Sequence, residues 1–409
     1  MKALELFAGA GGLAMGLELA GFESVGVVEW DSWACATIRE NQSRDFPLAR
    51  AWPLIEGDVR ALDLSAFPED LDLVAGGPPC QPFSLGGKHR AHDDERDMFP
   101  ATAHVIRTLR PRAFIIENVK GLTRSAFANY YQYILLQLEF PTVTRRGRED
   151  WRDHHKRLQR EKTSGRLHDG RHLAYNVVAS LVNAADHGVP QRRERVFIVG
   201  FRDDLGITWS FPRETHSPEM LFRDQWVTRA YWERHRVPSR LRPSPPAGLR
   251  ARIDRERAQP RIGLAETLAP WRTVRDALVG LTSPEKSRPR AILANHVYQP
   301  GARAYPGHTG SPLDLPAKTL KAGDHGVPGG ENMLVDVSGA CRYFTVRESA
   351  RLQTFPDGYV FHGSWTETMR QLGNAVPVAL ARVVASSVAE KLIAADMAGA
   401  IRRQRGRVA

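Results

Sequence analysis

Cysteine is almost missing from this chain of 409 residues, which carries only Cys35, Cys80 and Cys341. Three widely spaced cysteines with no C-x-x-C pair build neither a disulfide framework nor a zinc site, and they suit a reduced, cytoplasmic setting with no metal. Long apolar runs are missing too. Met1 to Phe7 has no basic segment leading into an apolar stretch, and nothing reaches the ~20 residues of a membrane span, so neither export nor membrane insertion is expected. A full G-x-G-x-x-G fingerprint and a Gly-Lys-Ser/Thr step are both absent, which argues against NAD and against ATP held by a phosphate loop. There is no internal repeat. Acidic side chains are in deficit, 46 against 57 Lys and Arg, for a net charge of +11. Arginine carries the excess, which fits either a polyanionic partner or a solvated arginine-rich surface.

What is present is a rhythm of short β-rich runs and amphipathic stretches. Ala3 to Phe7 precedes a helix from Gly12 to about Ala20, and Ser24 to Val28 precedes one from Asp31 to about Asn41. Leu71 to Ala75 precedes a helix around Met98 to Leu109, and Ala113 to Glu117 precedes one around Asn129 to Leu138. Strands alternating with helices predict an α/β fold with a Rossmann-like, doubly wound, mostly parallel sheet, whose ligands lie beyond the carboxyl ends of the strands. Two segments break the rhythm. From about 141 to 172 charge is dense and apolar periodicity poor, which reads as a basic surface insertion. From about 211 to 340 Pro, Gly and Arg dominate, which reads as a second, smaller, loop-rich domain. Regular structure resumes near 341, so the expected division is 1–210 with 341–409 against 211–340, closed by an apolar helix over Val376 to Ala394.

The polar features fall at predicted strand ends. Phe7-Ala8-Gly9-Ala10-Gly11-Gly12 is a turn whose small residues admit a ligand to the backbone and whose helix start offers free N–H groups. Glu29 lies about twenty residues on, where a ribose-binding carboxylate belongs, and Asp58 is placed to accept from an adenine amino group; helix capping is the competing role for either acid. A compact glycine turn without a phosphate fingerprint suits S-adenosylmethionine better than NAD or ATP. In Gly77-Pro78-Pro79-Cys80-Gln81-Pro82-Phe83-Ser84 the prolines restrict a loop that presents one thiol, as a nucleophile needs.

With Glu117-Asn118-Val119, Gln191 followed by Arg193 and Arg195, Arg347 to Pro356, and Gln371-Leu372-Gly373-Asn374-Ala375-Val376-Pro377 added in order, the chain resembles a prokaryotic DNA cytosine-5 methyltransferase. The likeness spans residues 4 to 201 and 343 to 390 and covers the region between only loosely. It implies methyl transfer from S-adenosylmethionine to C5 of a flipped-out cytosine through a covalent Cys80–C6 adduct, with Glu117, Arg193 and Arg195 completing the catalytic set. The chemistry needs such a set, because C5 becomes nucleophilic only after a thiolate adds at C6 and the charge reaching N3 is neutralised. The resemblance places Phe7, Ala8, Gly9, Gly11, Gly12, Glu29, Trp30, Asp58, Val59, Pro79, Asn374 and Val376 around the cofactor. It gives Ser84, Gln191, Lys318, Thr319 and Leu320 to DNA, and makes 211–340 the target recognition domain, where Trp226, Tyr231 and Trp232 are interleaved with arginines. Gly86-Gly87-Lys88 reads as a segment able to close over the extruded base. Double-stranded DNA is the implied partner, the enzyme acting as a monomer on DNA in a prokaryotic cytoplasm and associated with the nucleoid, with a separately encoded restriction endonuclease left open as a companion. An RNA cytosine-5 methyltransferase on the same scaffold and a catalytically silent DNA-binding protein are the rival readings.

Overall fold

The computed structural model describes residues 1–79, 97–168, 172–258, 268–285, 293–306, 309–322, 332–336 and 338–405. The chain divides into two compact units, one of 1–182, 194–212 and 381–409, the other of 183–193 and 213–380.

The larger unit is built on a seven-stranded sheet. Its strands are β1 (Lys2–Leu6), β2 (Glu23–Glu29), β3 (Leu54–Glu56), β4 (Leu73–Gly76), β5 (Ala113–Val119), β6 (Tyr175–Asn183) and β7 (Glu194–Arg202). They lie in the order β3-β2-β1-β4-β5-β7-β6. Pairings from β3 through β5 are parallel, and β7 runs antiparallel to β5. Such strands are buried on both faces, so they read as unbroken apolar runs: Leu73, Val74, Ala75 and Ala113 to Ile116 are all fully buried. Helices α1 (Gly12–Leu19), α2 (Ser32–Ser43), α3 (Phe99–Leu109) and α4 (Ala128–Glu139) are the crossovers. The predicted strand–helix alternation is therefore present, and the strand order reverses between β1 and β4 as a doubly wound sheet requires.

The insertion differs from expectation. Residues 151–163 form α5 (Trp151–Thr163), N-capped by Asp150, with Trp151 packed edge-on to Tyr130 at 5.0 Å between ring centroids. Its inward positions 151, 154, 155 and 158 follow the i, i+3, i+4, i+7 spacing of an amphipathic helix. Two are histidines, which hid the periodicity: His154 and His155 are buried, and the Tyr133 hydroxyl lies 3.0 Å from His154 Nδ1.

The second unit carries little regular structure. It holds β8 (His216–Ser217), β9 (Ala269–Pro270), β10 (Ser311–Pro312), β11 (Met333–Val335) and β12 (Cys341–Tyr343), with helices α6 (Pro218–Phe222), α7 (Ala230–Arg234), α8 (Arg250–Ala258), α9 (Val274–Leu278), α10 (Val346–Leu352) and α11 (Trp365–Asn374). Its boundary differs from the sequence expectation, because β12 pairs antiparallel with β11 and draws 341–380 into this unit. Tyr231 and Trp232, expected among surface arginines, are instead buried at the centre of a small core with Leu221 and Val237. Helix α12 (Val378–Arg405) then returns to the larger unit, where a Cβ on Gly16 of α1 would meet the Ala381 Cβ at 2.3 Å. No described helix is long and apolar enough to cross a membrane.

Burial drives the pKa of His154 down to about 4, so the imidazole is neutral where it packs. The unfolded chain then binds the proton more readily, and the stability tied to this residue is full above its ordinary value of 6.5 and falls as pH drops from there to about 4. Denaturation followed across that window should show this acid loss, and His154→Phe should flatten it.

Candidate active site

The first turn is set by backbone geometry. Beyond β1, Phe7, Gly9 and Gly11 take left-handed φ angles of 57°, 56° and 80°, a strained state for the phenylalanine and a free one for the glycines. The Ala8 N–H donates to the Val28 carbonyl at 3.1 Å, and the Gly9 N–H donates to Glu29 Oε2 at 2.7 Å. Glu29 ends β2 nearly buried, and its Oε1 accepts from the N–H groups of Trp30 at 2.9 Å and Asp31 at 2.7 Å. Burial raises its pKa, opposed by these backbone bonds. A carboxylate has about four acceptor positions, and three are used here, so one is left over.

The surroundings of the turn leave room beside Glu29. The space where Gly9 would carry a side chain is open, and Trp30 beside Glu29 is 68% exposed. Gly12 opens α1. Asp58, at the next strand end, takes the capping role: it accepts from the Arg60 N–H at 2.8 Å and pairs with the Arg60 guanidinium at 2.6 Å, which lowers its pKa. Val59 is buried in the main core.

The residues expected to carry the chemistry lie where β4 and β5 finish. Gly77, Pro78 and Pro79 follow β4, and Asn118 Nδ2 donates to the Pro78 carbonyl at 3.2 Å while its Oδ1 accepts from the Val119 N–H at 2.9 Å. Cys80, Ser84 and Gly86-Gly87-Lys88 lie outside the described residues. Glu117 stands opposite Phe197, and Val119 opposite Arg195, in the antiparallel β5/β7 register. Glu117 and Arg195 are thus diagonal neighbours on one face, within reach of long side chains. They meet as an ion pair, Arg195 Nε to Glu117 Oε1 at 2.9 Å, with both side chains about nine-tenths buried. A Cβ on Gly77 would stand 3.1 Å from Glu117 Oε2, so glycine there leaves room for the carboxyl. Of the described cysteines, Cys35 differs from an activated thiol, since burial pushes its pKa up to about 12, and Cys341 lies in β12 of the second unit.

The second unit gathers the remaining predicted residues. Arg193 is fully buried and donates to the carbonyls of Leu320 at 3.2 Å, Gly373 at 2.7 Å and Ala375 at 2.9 Å. This framework role differs from the catalytic one expected, since the guanidinium is enclosed by backbone. Gln191, expected on DNA, is also fully buried: its Oε1 accepts from the Leu320 N–H at 3.0 Å. Thr319 Oγ1 donates to the Arg192 carbonyl at 2.7 Å, Lys318 Nζ to Thr309 Oγ1 at 2.9 Å, and Leu320 is buried. Thr319, Leu320 and Gln191 therefore belong to one backbone-tying network, and Lys318 keeps an exposed ammonium. Arg193 ties down both carbonyls flanking Asn374, which is exposed, and Val376 is buried. Sequence reasoning missed a second hub of the same kind: buried Arg347 donates to the carbonyls of Ala294 at 3.0 Å, Pro356 at 3.1 Å and Tyr359 at 2.6 Å. The sequence presents Arg347 only as the first residue of the Arg347 to Pro356 stretch, between Val346 and Glu348, and nothing local marks its role.

A family model described as C-5 cytosine-specific DNA methylase matches residues 1–140 and 156–390. Among curated proteins, the type II methyltransferase M.NgoMIV of Neisseria gonorrhoeae is 30% identical over 398 residues, covering 95% of this chain and 97% of its own. M.NgoPII of the same organism is 28% identical over 399 residues, covering 96% of each. Among solved structures, that of Spodoptera frugiperda DNMT2 has a TM-score of 0.56 at 17% identity, covering 95% of this chain and 99% of that one, a likeness of fold.

Glu29→Ala removes the acceptor of three backbone N–H groups. It should cost about 1–3 kcal/mol of stability, because each donor is left without a charged acceptor in a nearly buried site. Chemical denaturation of the two proteins measures the difference.

Proposed function

The chain belongs to the C-5 cytosine-specific DNA methylase family and is a DNA cytosine-5 methyltransferase, and from that premise we propose transfer from S-adenosylmethionine through a covalent Cys80–C6 adduct. The observation supporting this most directly is the buried Glu117–Arg195 pair over Gly77, at the strand end from which the Cys80 segment departs. The Cys80 sulfur, as thiolate, forms a bond to C6, and the electron pair of the C5–C6 double bond moves into the ring. Glu117 takes part in its protonated form: it donates its proton to N3 as that charge arrives and recovers it when the ring is restored, while Arg195 orients the Glu117 carboxyl and faces O2. When bound, S-adenosylmethionine supplies an electrophilic methyl group that C5 accepts. Loss of the C5 proton to water then expels the Cys80 thiolate and restores the ring.

Phe7, Ala8, Gly9, Gly11, Gly12, Glu29 and Trp30 would hold the adenosine part, with Glu29 using its open acceptor position on a ribose hydroxyl. Asp58, Val59 and Pro79 would border it, and Asn374 and Val376 would serve the methionine end. Arg193 serves by fixing the backbone around Asn374. The target cytosine must leave the helix to reach Cys80, at a cost of a few kcal/mol. The second unit would read the site, using exposed arginines such as Arg229, Arg236 and Arg240 around the Tyr231–Trp232 core and the exposed ammonium of Lys318. Ser84 would meet the DNA from the cysteine segment. The setting is a bacterial cytoplasm, with a cognate restriction endonuclease as the companion of a type II system.

Bisulfite sequencing of DNA from cells expressing this chain should show one short sequence context protected at C5. Cys80→Ala should abolish transfer of label from S-adenosylmethionine to DNA and the covalent complex trapped on 5-fluorocytosine duplex; unchanged transfer would exclude the adduct. Glu117→Gln should lower kcat by roughly 10²–10⁴-fold while cofactor binding stays near wild type.

A further inference from the structure

The family model leaves residues 141–155 unmatched, and this stretch with α5 is strongly basic: nine Arg and Lys against four Asp and Glu between 141 and 168. A merely solvated segment would not need the anchoring seen here. Trp151 packs on Tyr130 and Tyr133, Leu158 is fully buried, and Lys162 bridges to Glu139 of α4 at 2.6 Å. The acids of the segment are already engaged. Glu149 pairs with buried Arg157 at 2.8 Å, Asp150 caps the helix, Asp153 faces Lys156 at 3.2 Å, and Glu161 lies 3.8 Å from Arg146. Arg145, Arg148 and Arg160 are left exposed with no acidic partner among the described residues, whereas Arg152 lies over the Trp151 ring and Lys156 is taken by Asp153.

These cations share one face region. The Glu149–Arg157 and Arg146–Glu161 pairs lay the loop carrying Arg145 and Arg148 beside the middle of α5. The helix also has a direction. Its first residue meets Tyr130, whose hydroxyl donates to the Asp97 carboxylate at the start of α3, and its end meets Glu139 at the end of α4. Helices α3 and α4 both start at the edge where β4 and β5 finish, so α5 begins at that edge and leads away from it over ~20 Å.

The geometry points to a second DNA-binding surface on this insertion: Arg145, Arg148 and Arg160 hold the phosphate backbone of duplex flanking the target site, without reading bases. Arginine suits the task, because its planar fork meets phosphate oxygens in pairs. This surface rests on DNA as the substrate but not on the Cys80 chemistry.

The test compares wild type with an R145Q/R148Q/R160Q variant on random-sequence duplexes of about 12 and about 40 base pairs across about 50–200 mM salt. On the longer duplex the variant should bind at least ~10-fold more weakly, and its log K against log salt slope should be shallower by about 2–3, near 0.9 for each phosphate no longer neutralised. On the shorter duplex the two proteins should agree within about threefold, and methyl transfer to saturating plasmid should be unchanged. Equal slopes and affinities on the longer duplex would overturn the proposal, as would an equal weakening on both lengths. Plasmid that wild type leaves unmethylated would overturn the enzymatic reading instead, with the length dependence still deciding whether the insertion holds DNA. Circular dichroism confirms that the variant keeps its helices.

Discussion

The antiparallel register of β7 against β5 is the constraint on which the buried Glu117–Arg195 pair depends. Every neighbouring strand from β3 to β5 is parallel, yet only a reversed β7 brings Arg195 diagonally across from Glu117. A slip of one residue would turn one partner to the opposite face. Two charges this deeply buried are tolerated because each answers the other, and removing one leaves an uncompensated charge costing about 3–5 kcal/mol. Gly77 belongs to the same constraint, since any Cβ there would crowd the carboxyl at 3.1 Å.

The second unit meets a different physical demand. It is made largely of turns, so many of its carbonyls have no helix or ladder partner, and buried carbonyls need donors. Arg193 and Arg347 each satisfy three, from sequence positions as far apart as 193 and 375 or 294 and 359. Guanidinium, with five donors and permanent charge, is the side chain best able to do this. Part of the arginine excess is therefore structural, and the +11 charge overstates what is free to meet a polyanion.

Legibility followed the strength of the local signal. Strands such as Ala113 to Glu117 were plain because both faces are buried and the run is uniformly apolar. β3 is only three residues long, and β6 carries partly exposed positions throughout, so neither gave a clear pattern. Helix α5 was concealed by histidines in apolar slots. Among the candidate residues, the turn 7–12, Glu29, Glu117 and Arg195 stand out in the sequence because each lies at a strand end. Arg193 and Gln191 were legible as notable residues but not in role, because whether a polar side chain faces ligand or backbone depends on distant carbonyls. The Tyr231–Trp232 core was missed since aromatics among arginines look alike whether they face DNA or each other.

The close approach of α1 and α12 at Gly16 and Ala381 bears on how the molecule comes into being. Arg112 also reaches Asp396 at 2.5 Å, so the sheet unit needs residues beyond 380 to be complete. At ordinary translation rates the ribosome takes on the order of 10–30 s to make the intervening stretch. The nascent sheet must wait that long with the flank of α1 uncovered.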